Sequence, residues 1–502
     1  MNALVLNELN AGRLNRAYRF ANEMVQQGNS VEAFNDRFSV LLAMIQSRLE
    51  RNQFDDLPKI LKQMSHDYAF EVDYRMVEQT FSLVLYKLTN DSKALQMSRL
   101  PLSMLGSLVK LPHPVPSTLH SKILWVSLFY KQNPQQYLDW IRIWGEMCFT
   151  PEDYQFRKAN NGKMYCSLAE SYFAFLVKCV HSISTLGKTS EVTSEAKKIF
   201  KWLQLAQERG LKSELLPYYQ SELLKLMGKV EEAVQEIKIL LHHRPDDFWI
   251  WSKLASIVEQ ASTKRALLSK AWSCKAPRSM KVKVMIELAE LFLKLGDKPS
   301  GKYFLELAEE VYRENGWKIP HMIAKLASEY DLFNVPVHKP DLIADYDLAE
   351  EYVYRDTEGI LAVSVSQKTT NNLIEVGFRT EKGIFKHVIF ASDRQVPPAS
   401  RLIYLVLRND SRAGQSLLFW RIASDKDIPA GYKKKEGILR KQASQSFGFV
   451  LGVFIPPYFF EDNSVLVDGI NCQVISRPVV DKKTGKDGFR AIYVHPLDQK
   501  FS

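Results

Sequence analysis

Three phenylalanines lie close together near residue 450, on two short apolar runs at 446–450 and 453–457. Side chains two residues apart on a strand project to the same face. Phe447 and Phe449 would therefore share a face, and a neighbouring strand would place Phe454 beside them. Aromatic rings grouped on a small sheet form a surface on which nucleic-acid bases stack, each base contributing about 1–3 kcal/mol. The pattern predicts binding at this place, and nothing comparable in the chain indicates catalysis.

Ordinary structural interpretations compete with that prediction. The three rings could instead fill the core of a small barrel. The lysine run 433–435 could be a solvated linker instead of a source of phosphate attraction. A predicted turn at 481–488 contains Lys482, Lys483 and Lys486 between two predicted strands. These lysines could be exposed to solvent, or they could contact a ligand.

Composition limits the class of protein. A chain of 502 residues is too long for one ordinary core, so two to four domains are expected. The net charge of +10 favours acidic partners such as RNA or DNA without demanding them. Five scattered cysteines with no CxxC pair are typical of reduced thiols. Without a signal-peptide core or a long apolar run, we expect a cytoplasmic protein that does not enter a membrane.

Residues 1–335 carry apolar side chains at three- and four-residue spacing, which predicts successive helices. Within them, 214–315 shows a repeat: Gly228 and Gly296 are 68 positions apart (296 − 228), which is twice a 34-residue period. Small or apolar residues and prolines occupy the other repeat positions, namely Ala233, Ile237, Leu240, Pro245, Trp251, Leu254, Ala255, Ala266, Pro277, Leu288, Ala289, Phe292 and Ala308. The segment resembles the tetratricopeptide family, and this resemblance implies a solenoid whose concave surface docks a protein partner.

Beyond Pro336 and Pro340, short alternating runs rich in β-branched and aromatic residues take over. They predict two groups of five strands: 361–366, 373–379, 385–391, 402–408 and 417–422, then 437–441, 447–450, 453–455, 471–477 and 490–494. A charged hinge at 423–435 separates the groups. The predicted fold class is therefore multidomain α + β, with an all-α tetratricopeptide-like solenoid at 1–335. Two small all-β OB-type barrels follow, at 345–425 and 433–502.

The second barrel resembles the cold-shock class of OB fold along its whole length. Its apolar run at 453–457 is similar to the run at the same place in the cold-shock-like domains of RNase II/R-type exonucleases. The resemblance implies that the rings of Phe447, Phe449 and Phe454 contact RNA. It also implies that Arg440 and Lys441 lie near phosphates.

The first barrel matches the same pattern poorly. Glu375 would put a carboxylate beside the binding surface, so binding by this barrel is left open. The whole arrangement resembles the helical-repeat proteins with S1/cold-shock-like domains that are linked to bacterial TOTE conflict systems. That resemblance implies a role in defence against invading nucleic acid.

Motifs for catalysis are missing from the sequence: it has no GxxxxGK[ST] loop, no GxSxG elbow, no HExxH helix and no metal-ligand spacing. We therefore expect no catalytic residue, no metal and no cofactor. The predicted function is a non-enzymatic adaptor in which 433–502 binds RNA or another single-stranded nucleic acid and the solenoid docks a protein. The alternative is a pure protein–protein scaffold in which both barrels are structural.

Overall fold

The structure is a computed structural model that describes the chain except for 29, 52, 69–72, 91–100, 112, 129–133, 159–161, 186–188, 371–372, 381–384, 392–395, 399–400, 411–413, 463–464, 481–484 and 498–502. It divides into two compact units, Met1–Glu236 and Ile237–Ser502. The predicted order, helices followed by β-strands, is confirmed.

The first unit is built from helices whose apolar faces meet in one extended core and, at the N-terminal end, in a separate small cluster. They are α1 Ala3–Asn10, α2 Leu14–Gly28, α3 Val31–Glu50, α4 Leu57–Tyr68, α5 Tyr74–Asn90, α6 Pro101–Val109, α7 Thr118–Ser127, α8 Pro134–Trp144, α9 Leu168–Ser184, α10 Thr189–Glu208 and α11 Leu216–Leu226, with the 3-10 turn Pro151–Tyr154 and the short strands β1 Arg157–Lys158 and β2 Met164–Tyr165. Local signals start several of them. The Ser30 hydroxyl, for example, accepts a hydrogen bond from the Ala33 amide and caps α3.

A second run of helices continues past the unit boundary. It comprises α12 Val230–His243, α13 Phe248–Ala255, α14 Ala261–Ser273, α15 Val282–Lys294, α16 Lys298–Glu314, α17 His321–Glu329 and α18 Ile343–Tyr354, with the 3-10 turn Arg278–Lys281. Gly228 and Gly296, at φ +76° and +86°, make the turns before α12 and α16, where the left-handed backbone favours glycine. The apolar repeat positions of these helices, such as Trp251, Ala266 and Leu288, are fully buried.

Helix α18 overlaps the start of the range predicted as the first barrel (345–425), whose first strand begins only at Ile360. It packs on α14: the Asp345 carboxylate accepts from the Arg265 guanidinium at 2.9–3.1 Å, and Lys270 pairs with Glu350 at 2.5 Å. The Tyr354 hydroxyl donates to a backbone carbonyl of α12 at 3.1 Å. Helical structure therefore extends about twenty residues beyond the predicted limit of 335, because a carboxylate-rich helix finds basic partners on α14.

The remaining chain forms two five-stranded sheets that curl into half-barrels. The strands are β3 Ile360–Thr370, β4 Leu373–Thr380, β5 Phe385–Ala391, β6 Leu402–Asp410 and β7 Gly414–Ile422, then β8 Lys433–Ile438, β9 Gly448–Val450, β10 Val453–Ile455, β11 Asn471–Val480 and β12 Asp487–Pro496, with the 3-10 turn Asp425–Asp427 and helix α19 Tyr458–Asp462. The first sheet has the order β5-β4-β3-β6-β7 and the second the order β8-β11-β12-β10-β9.

The two sheets share one scheme of strand pairing. In each group of five, the first strand pairs with the fourth, the fourth with the fifth and the second with the third. The first and second strands of the first group, β3 and β4, pair along their length. In the second group, two backbone hydrogen bonds between Arg440, just after β8, and Phe449 in β9 link the first and second strands. The second group adds a parallel pair, β10 with β12.

The sheets also pack against each other. Side chains of β3 and β6 meet side chains of β11 and β12 in one buried cluster, consisting of Leu361, Val363, Leu402, Ile475, Ile492 and Tyr493. The inner face of the second sheet has its own core, which includes Leu439, Val450, Val453, Ile455 and Val474. The two barrels are thus joined over an apolar surface and are not separated by a free linker.

The lysine run 433–435 is not part of a linker, so that interpretation was wrong. It forms the first half of β8 and pairs with β11. The Lys433 and Lys435 ammonium groups lie 4.2 and 5.8 Å from the centre of the Phe489 ring, while Lys434 pairs with Asp425 at 3.2 Å. Strand alternation and cation–π contact explain why a lysine-rich segment is ordered here. No described helix has both the length and the apolar character needed to cross a bilayer.

Candidate nucleic-acid interface

A tight hairpin positions two of the three predicted rings. Strands β9 and β10 are joined by Leu451 and Gly452, both at positive φ (+47° and +78°), as a type I′ hairpin turn requires. The register places Phe449 directly opposite Phe454. Because the Phe449 backbone gives its hydrogen bonds to Arg440 on the other side, the Phe449–Phe454 pair is the closely spaced kind. Their side chains are therefore forced together on one face.

The three rings form a cluster on the outer face of the hairpin. Ring centroids are 5.8 Å apart for Phe447–Phe449, 5.6 Å for Phe447–Phe454 and 5.8 Å for Phe449–Phe454. Phe449 is 41% exposed, and the other two rings are half-buried. None of the three belongs to the buried core cluster beneath, which is filled by the alternate residues of the hairpin. The rings are available to a ligand.

The rings do not lie flat beside one another. The interplanar angles are 89°, 45° and 61°, so each pair meets edge to face or tilted. This geometry is the one that aromatic quadrupoles prefer. A base could stack on the face of one ring while touching the edge of the next, and successive bases would have to turn relative to each other.

Gly448, between the first two rings, faces the core. A Cβ atom at this position would lie 3.0 Å from Leu439 Cδ1 and Phe460 Cζ and 3.1 Å from the Arg440 carbonyl oxygen. These contacts are tighter than normal packing, and one of them is to backbone. The aromatic–glycine–aromatic order is therefore required by the packing under the rings.

We predict that Gly448→Ala lowers the free energy of unfolding by about 1–3 kcal/mol, since overpacking a filled core forces its neighbours to shift. Urea denaturation of the full chain, followed through the tyrosine and tryptophan fluorescence, measures this. Gly431→Ala provides the contrast, because a Cβ atom at that position would meet no atom within 4 Å beyond its chain neighbours, and the cost of the change comes from the φ of +90° alone. Equal stability of Gly448→Ala and the wild type would contradict the packing argument.

The predicted basic residues fall in different places. Arg440 is exposed and lies opposite Phe449, which puts its side chain on the face that carries the rings. Lys441 turns to the other side: its amide donates to the Asp468 carboxylate at 2.7 Å, and its ammonium lies 4.9 Å from the Phe460 ring centre. Only Arg440 of this pair is beside the rings.

The lysines of the 481–488 turn are distant from the rings or outside the described part of the chain. Lys482 and Lys483 lie outside the described residues. Lys486 is exposed just before β12. It is four residues from Arg490, which in an extended strand is about 13 Å. The structure does not bring Lys486 to the rings.

Arg490 is a basic residue beside the rings that the sequence analysis missed. Strands β10 and β12 run parallel, and their register pairs Phe454 with Arg490. Residues paired in this way project to the same face of a sheet, so Arg490 flanks the rings on the side away from Arg440. Its signal in the sequence is weak, because parallel pairing between strands some thirty residues apart cannot be read from alternation.

One family model matches part of the helical region. Residues 214–341 match a domain of unknown function (DUF7017). The match covers about a quarter of the chain, starting just before α11 and ending just before α18. No curated protein matches the chain. The resemblances to tetratricopeptide, cold-shock and conflict-system proteins stay predictions.

Proposed function

We propose that this protein is a non-enzymatic adaptor that binds single-stranded nucleic acid, RNA in preference to DNA, through the outer face of the β9–β10 hairpin. The observation that carries the proposal is the exposed cluster of Phe447, Phe449 and Phe454, which lies outside the core and between Arg440 and Arg490. Stacking on aromatic rings combined with phosphate attraction is the general means of holding single strands.

The strand pairing supports an OB-type identity for both sheets. A five-stranded Greek-key barrel with a helix between its third and fourth strands would have the pairing of the second group, including α19 between β10 and β11. The first sheet uses the same antiparallel pairs without needing a binding role. In this proposal, the two modules share a fold and only the second carries the rings.

The helical repeats would dock a protein partner. The support is local: the repeat positions are buried, and glycines at positive φ make the turns at Gly228 and Gly296. Helix α18 covers part of α14, so a partner would use the helix faces that α18 leaves open. The chain would then link a protein to a nucleic acid.

The test compares three ligands with the full chain: a single-stranded 12-mer of uridine, an RNA duplex of the same length, and an abasic strand with the same number of phosphates. Fluorescence anisotropy should give the tightest binding to the uridine strand, at least about tenfold tighter than to the abasic strand, since each stacked base contributes about 1–3 kcal/mol. Equal affinity for the abasic and the uridine strand would contradict stacking. No binding to any of the three would favour the protein scaffold.

A further inference from the structure

A single row of outward-facing residues crosses the second sheet. The backbone bridge sets Arg440 opposite Phe449, the hairpin sets Phe449 opposite Phe454, the parallel pair sets Phe454 beside Arg490, and the β11–β12 pair sets Arg490 opposite Arg477. Members of such a row share one face because paired residues project to the same side. The rings are therefore followed by two arginines, the second about 10 Å from Phe454, or two strand spacings.

Among the described residues, the two arginines at the end of the row have no acidic partner. Arg477 and Arg490 are directly opposite each other, an arrangement in which like charges destabilise the sheet. Over the described residues, no carboxylate forms an ion pair with either guanidinium. The Arg477 Nε atom is buried and has no hydrogen-bond partner within the part of the chain that the structure describes. A buried donor left unsatisfied is costly, so this place favours an anion.

A third arginine reaches the same place from the first sheet. Arg379 of β4 lies 4.6 Å from the centre of the Tyr458 ring, and Arg490 lies 5.9 Å from it. Burial raises the pKa of the Tyr458 hydroxyl, and the nearby Arg490, Arg379 and Arg477 act in the opposite direction. Two residues along β12 from Arg490, Ile492 is packed into the cluster that joins the sheets. The arginines therefore surround the edge of that junction.

We propose that Arg379, Arg477 and Arg490 form a phosphate-binding site for the backbone of a single strand, which continues from the rings to the junction of the two sheets. The inference rests on the proposed function and adds a role for the first sheet, which would contribute Arg379. Guanidinium groups suit this task because their fork of donors matches phosphate oxygens. The ligand would run across the row, with bases on the rings and phosphates at the arginines.

The test uses the double variant Arg477→Gln/Arg490→Gln in the full chain, with the 12-mer of uridine and the abasic strand as probes. Binding is measured from 50 to 200 mM salt. Removing two phosphate contacts should flatten the slope of log affinity against log salt by about 1.4, at about 0.7 per contact for single strands. Affinity for both probes should fall by about tenfold at the low-salt end. Arg278→Gln/Lys318→Gln removes the same charge from two exposed positions in the connections between helices and should leave the slope unchanged.

Thermal melting separates a binding role from a structural one. Since Arg477→Gln/Arg490→Gln removes a repulsive pair, the free variant should melt no lower than the wild type. Adding the abasic strand should raise the melting temperature of the wild type more than that of the variant. If the glutamine variant melts lower, the variant Arg477→Lys/Arg490→Lys gives the decisive comparison, because it keeps both positive charges and loses the fork of guanidinium donors. In a lysine variant that melts like the wild type, a salt slope as flat as that of the glutamine variant would then overturn the site, because a phosphate site keeps its counterion release when the charge is kept.

The outcomes distinguish this site from the proposed function. An unchanged salt slope and unchanged affinities in a folded glutamine variant overturn the phosphate site, even where loss of the rings still weakens binding. A flattened slope on the abasic strand supports the site even where ring variants have no effect, in which case stacking fails. Weakening of the uridine strand alone, with the abasic strand unchanged, also overturns it, because a phosphate site must act on both probes.

Discussion

The double variant Phe449→Ala/Phe454→Ala should bind the single-stranded 12-mer of uridine about a hundredfold more weakly than the wild type. Each ring holds one base at about 1–3 kcal/mol, and 1.4 kcal/mol is a factor of ten in affinity. The two side chains project from a closely spaced cross-strand pair, so both face the same ligand. Anisotropy titration of the full chain at 100 mM salt measures the loss.

The fold should tolerate this change. Phe449 is 41% exposed and neither ring belongs to the core of the second sheet. Phe449→Tyr/Phe454→Tyr keeps both ring faces and should retain binding. Phe333→Ala removes a phenylalanine that is 89% exposed in the helical part and serves as the matched control. If the folded double alanine variant binds the uridine strand with wild-type affinity, these rings do not stack bases.

The ring cluster could be predicted largely from local sequence. Alternation alone places Phe447 and Phe449 on one face, and a Leu451-Gly452 turn between apolar runs indicates a two-residue hairpin. Such signals act over a few residues and survive without knowledge of the fold. What they could not give is the angle between rings, which depends on side-chain packing over Gly448 and its neighbours.

The cationic half of the interface could not be predicted in this way. Arg490 reaches the rings through a parallel pair, and its alignment with Arg477 depends on an irregularity in the β11–β12 register between Ile475 and Ser476. A one-residue slip of either strand would turn its arginine to the opposite face. Register over such distances is set by the packed sheet. Of the two adjacent basic residues predicted from the sequence, Arg440 lies beside the rings and Lys441 is directed away.

The boundary between helices and strands shows the same limit. Two prolines near 336–340 indicate a break, yet α18 follows them because its polar face finds Arg265 and Lys270 on a helix some eighty residues earlier. Likewise, a lysine run is solvated in isolation, but here it forms a strand because its ammonium groups contact the Phe489 ring. Both errors come from judging a segment without its tertiary partner.

Asp67→Ala should lower the free energy of unfolding by about 3–5 kcal/mol. The Asp67 carboxylate in α4 is fully buried and accepts from the Arg37 guanidinium in α3 at 2.5 and 2.9 Å. Arg37, only 5% exposed, also donates to Asn22 at 2.7 Å, and Gln63 donates to Asp67 at 2.9 Å. Removal of the carboxylate leaves the buried Arg37 guanidinium without its counterion. Water cannot reach this charge unless the surrounding helices open.

Two further variants decide whether the loss comes from the stranded charge. Arg37→Met/Asp67→Leu removes both charges and should recover most of the stability, because apolar replacement of a buried pair is often neutral. Glu290→Ala breaks an exposed pair with Lys294 (2.6 Å) and should cost only about 0.5 kcal/mol or less. Urea denaturation gives the free energies, and hydrogen exchange should locate the Asp67→Ala effect in α2, α3 and α4. A cost below about 1 kcal/mol for Asp67→Ala would show that the Arg37 guanidinium reaches water or another acceptor, and that this network does not hold the three helices together.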